Sequence, residues 1–240
     1  MSIKASDIIR ELRRAADTSK VADYQRFFKT GPGQYGEGDV FLGVSVPKTR
    51  AIIRGKHTLA LSEIEILFRS RYHEARLAAC LLLVARYEHA PIDEKTPIYD
   101  FYLRHSQRIN NWDLVDVSSP RIVGRELLRR GDWSQLLVLA RSENLWERRI
   151  AVLATAAFLE AGDSQPIFMI ATMLLNDSHD LIHKAVGWML REVGKRISQA
   201  EEERFLREDH RYKKMPRTML RYAIERFDPA LRQAYLSGEI

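Results

Sequence analysis

The chain has 240 residues, of which 45% are hydrophobic, so it can bury a sizeable core as one elongated domain or two small ones. Lys and Arg number 38 against 32 Asp and Glu, and the net charge of +6 favours a polyanionic partner such as nucleic acid. The single cysteine, Cys80, excludes an internal disulfide framework and an all-cysteine zinc site, and its apolar surroundings predict a small buried side chain.

The N-terminal stretch is amphipathic and carries charges throughout, which predicts N-terminal helices over residues 1–30 with Ser6 as the first N-cap. It has no apolar core of the kind that signal peptides need. The longest apolar run, residues 150–159, is too short to span a bilayer. We therefore expect a soluble cytoplasmic protein with no membrane partner.

Glycines and prolines cluster between Gly31 and Pro47, and they predict a loop over residues 31–47. A glycine-rich loop can cradle phosphates, but no strand precedes this one and no Gly-Lys-Ser/Thr follows it. The sequence therefore does not favour a nucleotide site in the loop.

From Lys48 onward the pattern is helix, short turn, helix, and similar units recur. Four stretches each begin with basic residues and continue into an apolar stripe: "HEARLAACLLL" (73–83), "WERRIAVLATAAFL" (146–159), "LIHKAVGWMLREVGK" (181–195) and "MPRTMLRYAIERF" (215–227). No stretch alternates with a period of two, so no strand is predicted.

The basic residues of these stretches, Arg76, Arg149, Lys184 and Arg217, are separated by 73 (149 − 76), 35 (184 − 149) and 33 (217 − 184) residues. The first gap is about two units, and one unit after Arg76 falls on Trp112. A period near 35 predicts an all-α solenoid of about six HEAT-like helical repeats with a concave basic groove. We expect one domain over residues 1–240, with the stacked repeats at 48–230. The alternative for each basic residue is a solvated surface charge.

The stretch "NNWDLVD" places two acidic residues in this basic series. Asn110 is a suitable N-cap and Asp113 then takes the capping-box position, which predicts a structural role. Asp116 lies four residues after Trp112, so the two share a helix face. Asp116 is a surface carboxylate or, on the face of a basic groove, a group that meets a positive charge on the ligand.

The tryptophans and histidines leave alternatives open. Trp133 and Trp146 are predicted to be core residues, whereas Trp188 follows Gly187, which would leave space beside the ring. Trp188 is either core or, with Trp112, one wall of an aromatic cleft for a cationic base. His179 and His183 have the spacing of two zinc ligands on a helix, but no third ligand stands out, so a surface role is favoured and no metal is expected.

Five stretches in this order resemble the DNA alkylation repair family of HEAT-like-repeat DNA glycosylases, the AlkD-type enzymes: "YGEGDVFLGVSVPKTR" (35–50), "NNWDLVD" (110–116), "LWERRIAV" (145–152), "KAVGWMLREVGK" (184–195) and "MPRTMLRYAIE" (215–225). The resemblance implies removal of cationic N3- and N7-alkylpurines from double-stranded DNA in base-excision repair. We expect an enzyme that needs no metal and no small-molecule cofactor, and a monomer, since a solenoid with polar end repeats can stand alone.

The same resemblance implies the site residues. The second aspartate of the W-D-x-x-D motif falls on Asp116 as the catalytic carboxylate, and the motif tryptophans fall on Trp112 and Trp188. Arg149 would hold a phosphate next to the lesion, and Phe27 stands where some members carry a lesion-proximal tyrosine. Candidate DNA-backbone contacts are Lys29, Lys48, Arg50, Lys184, Arg191, Arg217 and Arg221.

The chemistry agrees with the residues. A cationic alkylpurine is already a good leaving group, so one carboxylate that stabilises an oxocarbenium-like sugar suffices and no general acid is needed. The enzyme would act at the nucleoid. Two alternatives stay open: a non-catalytic HEAT-repeat binder of branched or damaged DNA, and a protein-interaction scaffold whose concave face holds a peptide.

Overall fold

The computed structural model describes residues 3–240, and the chain is all-helical there, as predicted. The first two residues of the predicted N-terminal segment lie outside this range. Among the described residues, β-type pairing is confined to one parallel bridge between Val40 and Tyr72. The chain divides into two compact units, unit 1 as far as Ile122 and unit 2 from Val123 to Ile240.

Unit 1 contains seven α-helices among its described residues: α1 (Ala5–Arg14), α2 (Val21–Phe27), α3 (Val46–Ile53), α4 (Leu61–Phe68), α5 (His73–His89), α6 (Ile92–Arg104) and α7 (Trp112–Ser119). Short 3₁₀ turns at Thr18–Lys20 and Ser106–Arg108 lead into α2 and α7. Helix α5 is the long central helix, and α3, α4, α6 and α7 all pack against it.

Unit 2 contains the remaining helices: α8 (Arg125–Arg130), α9 (Ser134–Ala140), α10 (Leu145–Ala154), α11 (Ala156–Glu160), α12 (Gln165–Met173), α13 (Asp180–Arg196), α14 (Gln199–Arg207), α15 (Arg211–Lys214), α16 (Arg217–Ala223) and α17 (Pro229–Ser237). A π-helical turn, Pro120–Gly124, precedes α8, and 3₁₀ turns lie at Glu208–His210 and Ile224–Arg226. Helix α13 is the central helix of this unit and packs against α10, α14 and α16.

The first helix begins earlier than predicted. Its N-cap is Lys4 rather than Ser6, which lies inside the first turn. Asp7 accepts a hydrogen bond from the Lys4 amide (3.1 Å), and Glu63 of α4 accepts one from the Ala5 amide (2.7 Å). Carboxylates thus satisfy the free amides of the helix start, so a serine cap is not needed.

The glycine-rich segment lies between α2 and α3 over residues 28–45, where the sequence predicted a loop over 31–47. Helix α3 begins at Val46, and Pro47 fits its first turn because amides at that position need no partner within the helix. The buried carboxylate of Glu74 accepts the amides of Leu42, Gly43 and Val44 at 2.9–3.1 Å. The loop is therefore tied to the N-terminal turn of α5.

The repeat is present, but the residues aligned from the sequence do not all occupy the same helical position. Helices α5, α7, α10, α13 and α16 begin at residues 73, 112, 145, 180 and 217, so four intervals cover 144 residues (217 − 73), a mean of 36. Arg76, Arg148 and His183 each occupy the fourth helical position. Each donates to the carbonyl six residues earlier, at 3.0, 3.0 and 2.5 Å respectively. Arg76 therefore corresponds to Arg148 rather than to Arg149.

The candidate residues nevertheless share one helical face. Trp112 and Arg217 take the first position of their helices, and Asp116, Arg149, Lys184 and Arg221 take the fifth. Positions one and five lie one turn apart on the same side of an α-helix. Within each of these helices, the candidate residues therefore lie on the face defined by these two positions.

Gly187 serves close helix packing rather than space beside Trp188. A β-carbon there would lie 2.4 Å from the Met219 carbonyl oxygen and 2.6 Å from the Tyr222 β-carbon. Both atoms belong to α16, so the missing side chain lets α13 and α16 approach closely. The prediction that this glycine opens room next to the indole was wrong.

The core matches most of the sequence expectations. Trp146 is 7% exposed and Cys80 is fully buried, as predicted. Trp133 is only half-buried and lines a surface cavity with Phe168 and Met169, so its assignment to the core was wrong. Within residues 3–240, no helix combines the length and the apolar character that a membrane span needs.

Candidate functional site

Trp112 is part of an aromatic cluster at the start of α7. Its ring stacks on Phe28, with centroids 5.2 Å apart and planes 21° apart, and it meets Phe27 edge to face at 5.6 Å. Phe28 in turn stacks on Phe41 at 5.0 Å. Phe27 is 63% exposed. The predicted site residues Phe27 and Trp112 are therefore neighbours and present apolar ring surface to the solvent.

Asp116 lies in α7 one turn after Trp112 and is half-buried. Leu114 and Val115, between them, are fully buried and fix the helix against the core of unit 1. The α-helical pattern ends at Ser119, since Pro120 cannot donate the next helical hydrogen bond and a π turn follows. π turns occur frequently at functional sites.

A buried network of charged side chains lies beneath the aromatic cluster. The His73 side chain is 2% exposed; its Nδ1 lies 2.9 Å from Asp39 Oδ2 and its Nε2 lies 2.8 Å from Asp113 Oδ2. Asp39 also pairs with Arg76, and Arg76 Nε donates to the Asn110 side chain at 3.0 Å. We call Asp39, His73, Arg76 and Asp113 the buried charge network.

The network is balanced by its own charges. Burial alone would lower the pKa of His73, but the carboxylates of Asp113 and Asp39 outweigh it and raise that pKa to about 9. At neutral pH the imidazole is therefore protonated, and both ring nitrogens donate. Burial would raise the pKa of Asp39, but the hydrogen bond from His73 and the charge of Arg76 hold it below its ordinary value. Two cations and two anions thus face one another.

The capping roles expected for "NNWDLVD" were assigned to the wrong residues. Asn111, not Asn110, is the N-cap of α7, and its Oδ1 accepts the Trp112 amide at 2.8 Å. Asp113 lies in the second helical position, where Oδ1 accepts the Leu114 amide at 2.9 Å while Oδ2 binds His73. Asp113 is structural, as predicted, but as a member of the buried charge network.

In unit 2, the predicted residues Arg149 and Trp188 lie on α10 and α13. Arg149 is 5% exposed, and its Nη1 donates to the Leu181 carbonyl at 2.7 Å. Trp188 is half-buried. The role of Arg149 toward a phosphate and the pairing of Trp188 with Trp112 remain predictions.

The predicted backbone contacts fall into two groups. Lys184 pairs with Asp180 at 2.7 Å, Arg191 pairs with Glu225, and Arg217 Nη1 donates to the Leu236 carbonyl at 2.5 Å. The remaining four are exposed and have no ion-pair partner among residues 3–240: Lys29, Lys48, Arg50 and Arg221.

His179 and His183 have roles within the protein rather than on its surface. His179 is the N-cap of α13, and its Nδ1 accepts the Leu181 amide at 3.1 Å. His183 Nε2 donates to the Asp177 carbonyl, and the expectation of a purely surface role was wrong. Within residues 3–240 no group of three His, Cys, Asp or Glu side chains could hold a metal ion.

The sequence matches the family model described as DNA alkylation repair enzyme over residues 8–227. The chain belongs to this family. A solved structure from Enterococcus faecalis, described as a predicted DNA alkylation repair enzyme, has the same fold with a TM-score of 0.71. It is 18% identical, and the alignment covers 89% of this chain and 97% of that one. No curated protein matches the sequence. Family membership supports a role in DNA alkylation repair with DNA as the substrate.

The residues beneath the candidate site were not predicted from the sequence. Asp39 and His73 were not singled out, and neither were Phe28 and Phe41. A signal was present, since a histidine and an arginine in the first turn of a strongly apolar helix, "HEARLAACLLL", imply buried cations that need acidic partners. The sequence did not show which acids these are.

Proposed function

We propose that the protein is a monofunctional DNA glycosylase that hydrolyses the N-glycosidic bond of cationic N3- and N7-alkylpurines in base-excision repair. The observation that carries the proposal is the half-buried carboxylate of Asp116 one turn after Trp112, whose ring is supported by Phe28 and flanked by the exposed Phe27. A flat apolar surface beside a carboxylate suits a substrate that gains positive charge as it reacts.

The reaction needs one anionic group. The C1′–N bond breaks, its electron pair leaves with the base, and the positive charge moves from the alkylated ring to the sugar. The Asp116 carboxylate stabilises that oxocarbenium-like sugar and accepts a proton from the water whose oxygen attacks C1′. The products are the free alkylated base and an abasic site, and no acid is needed because the leaving base is neutral.

The aromatic rings contribute attraction for the cation. The faces of Trp112 and Phe27 carry negative electrostatic potential, so a positively charged purine or sugar near them is favoured through cation–π interaction. Phe27 has no hydroxyl group and cannot donate a hydrogen bond to the adduct. We therefore expect recognition there through shape and ring electrostatics.

The exposed cations supply affinity for the phosphate backbone. Lys29, Lys48 and Arg50 of unit 1 and Arg221 of unit 2 are the residues on which this part of the proposal rests. Phosphate contacts of this kind are independent of sequence and weaken as salt concentration rises. We propose that the protein binds double-stranded DNA as a monomer without a metal or nucleotide cofactor.

The test measures free base under single-turnover conditions from a duplex with one N7-methylguanine. Asp116→Asn keeps the shape of the side chain and removes its charge, so we expect the rate of base release to fall by at least about 100-fold. Asp100→Asn is the matched control, because Asp100 is exposed on α6 of the same unit and should leave the rate unchanged. Equal rates for wild type and Asp116→Asn would refute the assignment. Tight binding without base release by the wild type would favour the non-catalytic DNA binder.

A further inference from the structure

His73 connects three separate segments beneath the candidate site. It lies in the first turn of α5, its Nδ1 bonds to Asp39 of the glycine-rich loop, and its Nε2 bonds to Asp113 of α7. Asp113 is the neighbour of Trp112 in sequence. A displacement of the His73 ring would therefore move both the loop and the first turn of α7.

The His73 ring also supports the aromatic cluster directly. It stacks on Phe41 with centroids 4.6 Å apart and contacts Phe28 at 5.0 Å. Phe28 in turn stacks on the ring of Trp112. Two routes, one polar through Asp113 and one apolar through Phe28, thus lead from His73 to Trp112.

We propose that His73 is a positioning residue, whose ring, bonded to Asp39 and Asp113 and in contact with Phe28, holds Trp112 and Asp116 in the arrangement that base release needs. The inference rests on the proposed function for its catalytic part. His73 is not a catalytic residue here, because its side chain is buried and its two nitrogens are both engaged within the protein.

The chemistry explains why a histidine is required at this position. A protonated imidazole offers two N–H donors on opposite edges of a flat ring, so it can bond two carboxylates and stack on aromatic faces at once. A glutamine amide has donors on one atom only, and its oxygen would face the second carboxylate. His73→Gln should therefore keep one of the two links and lose the other.

The variant His73→Gln is compared with His105→Gln. His105 is a matched control because it likewise stacks on one ring, Phe68 at 5.7 Å, and contacts a second at an angle, Phe101 at 4.3 Å, and neither ring belongs to the site. We expect His73→Gln to lower the single-turnover rate of base release about ten- to 100-fold, with affinity for undamaged duplex changed less than about threefold. His105→Gln should change neither.

A spectroscopic measurement tests the positioning itself. Labelling with 5-fluorotryptophan gives four ¹⁹F resonances, one for each tryptophan, and Trp112→Phe assigns that of Trp112. His73→Gln should shift the Trp112 resonance and leave those of Trp133 and Trp146 in place, whereas His105→Gln should leave all of them in place. The double variant His73→Gln/Asp113→Asn gives the glutamine oxygen an amide donor, and it should recover part of the rate and of the shift.

The outcomes separate the two proposals. Equal rates and an unchanged Trp112 resonance in His73→Gln would overturn the positioning role, and so would effects equal to those of His105→Gln. If the wild type releases no base, the glycosylase proposal fails while the Trp112 resonance still tests the positioning. If His73→Gln does not fold, the isosteric Asp113→Asn variant removes one link only, and it should show the same shift and loss of rate in smaller degree.

Discussion

Asp39 in unit 1 and Glu202 in unit 2 are both buried acids, but their surroundings differ. Asp39 is bonded to His73, Arg76 and Asn111, and these partners hold its pKa low although burial acts to raise it. Glu202 is 1% exposed, its Oε1 has no hydrogen-bond partner, and burial raises its pKa to about 9. The presence of a partner, rather than depth, decides whether a buried carboxyl group is charged.

The two surroundings have different consequences for the fold. Around Asp39 the charges are held in fixed directions, so the network can transmit position from one segment to another. Glu202 instead lies against the backbone of α13, where a β-carbon at Gly194 would be 2.0 Å from its Oε2. The glycine makes room for the carboxyl group without supplying a bond. Replacing Asp39 and Glu202 one at a time should show that a bonded buried carboxylate stabilises the fold and an unbonded one does not.

The largest effect is expected from Asp39→Asn. This change leaves the buried cations of His73 and Arg76 with half of their negative charge, and breaking a buried pair in this way costs about 3–5 kcal/mol of unfolding free energy. Urea denaturation at pH 7 measures the loss. Asp23→Asn is the control, because Asp23 pairs with Arg26 on the surface and should cost less than about 0.5 kcal/mol. Similar losses of unfolding free energy in the two variants would show that the buried charge network stabilises the fold no more than a surface ion pair does.

Glu202→Gln should raise the unfolding free energy rather than lower it, and the size of the gain should depend on pH. The folded-state pKa of about 9 exceeds the ordinary value of 4.5, so between these values the folded protein binds more protons than the unfolded chain. The wild type therefore loses stability relative to Glu202→Gln as pH rises from 4.5 towards 9. By pH 7 the variant should be more stable by up to about 3 kcal/mol.

The matching control for that change is Glu126→Gln. Glu126 is fully buried in the same unit, but it accepts hydrogen bonds from Arg129 at 2.6 Å and Arg130 at 2.9 Å. This variant should be less stable than the wild type at pH 7. A stability difference for Glu202→Gln that stays constant between pH 4 and pH 8 would contradict a titrating Glu202.

Sequence alone predicted the helices, the repeat and the shared helix face of Trp112 and Asp116, because these follow from regular spacings along the chain. Trp112 and Asp116 are four residues apart, and a helix of 3.6 residues per turn places them together. The buried charge network was missed because Asp39, His73 and Asp113 are 34 and 40 residues apart. Nothing periodic links them, and only the packing of the loop and α7 on α5 brings them together.

The misalignment of Arg149 with Arg76 has a similar cause. "ERRIAV" places two arginines side by side in the first turns of α10, and composition does not show which one bonds back to the carbonyls that precede its own helix. In the folded chain Arg148 does so, as Arg76 does in α5, while Arg149 takes the next position. A helix face is thus easier to predict than the single residue that occupies a given point on it.

The smallest change in unfolding free energy is expected from Arg148→Lys, which tests the correspondence between Arg148 and Arg76. Arg148 bonds to Asp177 at 2.7 Å and to the carbonyls of Ser142 and Glu143 at 3.0 and 2.9 Å. Lysine has one charged nitrogen and cannot reproduce this planar arrangement of donors, so Arg148→Lys should cost about 1–2 kcal/mol.

The control for Arg148→Lys is Arg204→Lys in the same unit. Arg204 is exposed and lies 3.5 Å from Glu201, so its replacement should change the unfolding free energy by less than about 0.5 kcal/mol. Arg76→Lys should lose at least as much as Arg148→Lys, since Arg76 additionally serves the buried Asp39. If Arg149→Lys lowered the unfolding free energy and Arg148→Lys did not, Arg149 rather than Arg148 would correspond to Arg76, as the sequence alignment of the repeats predicted.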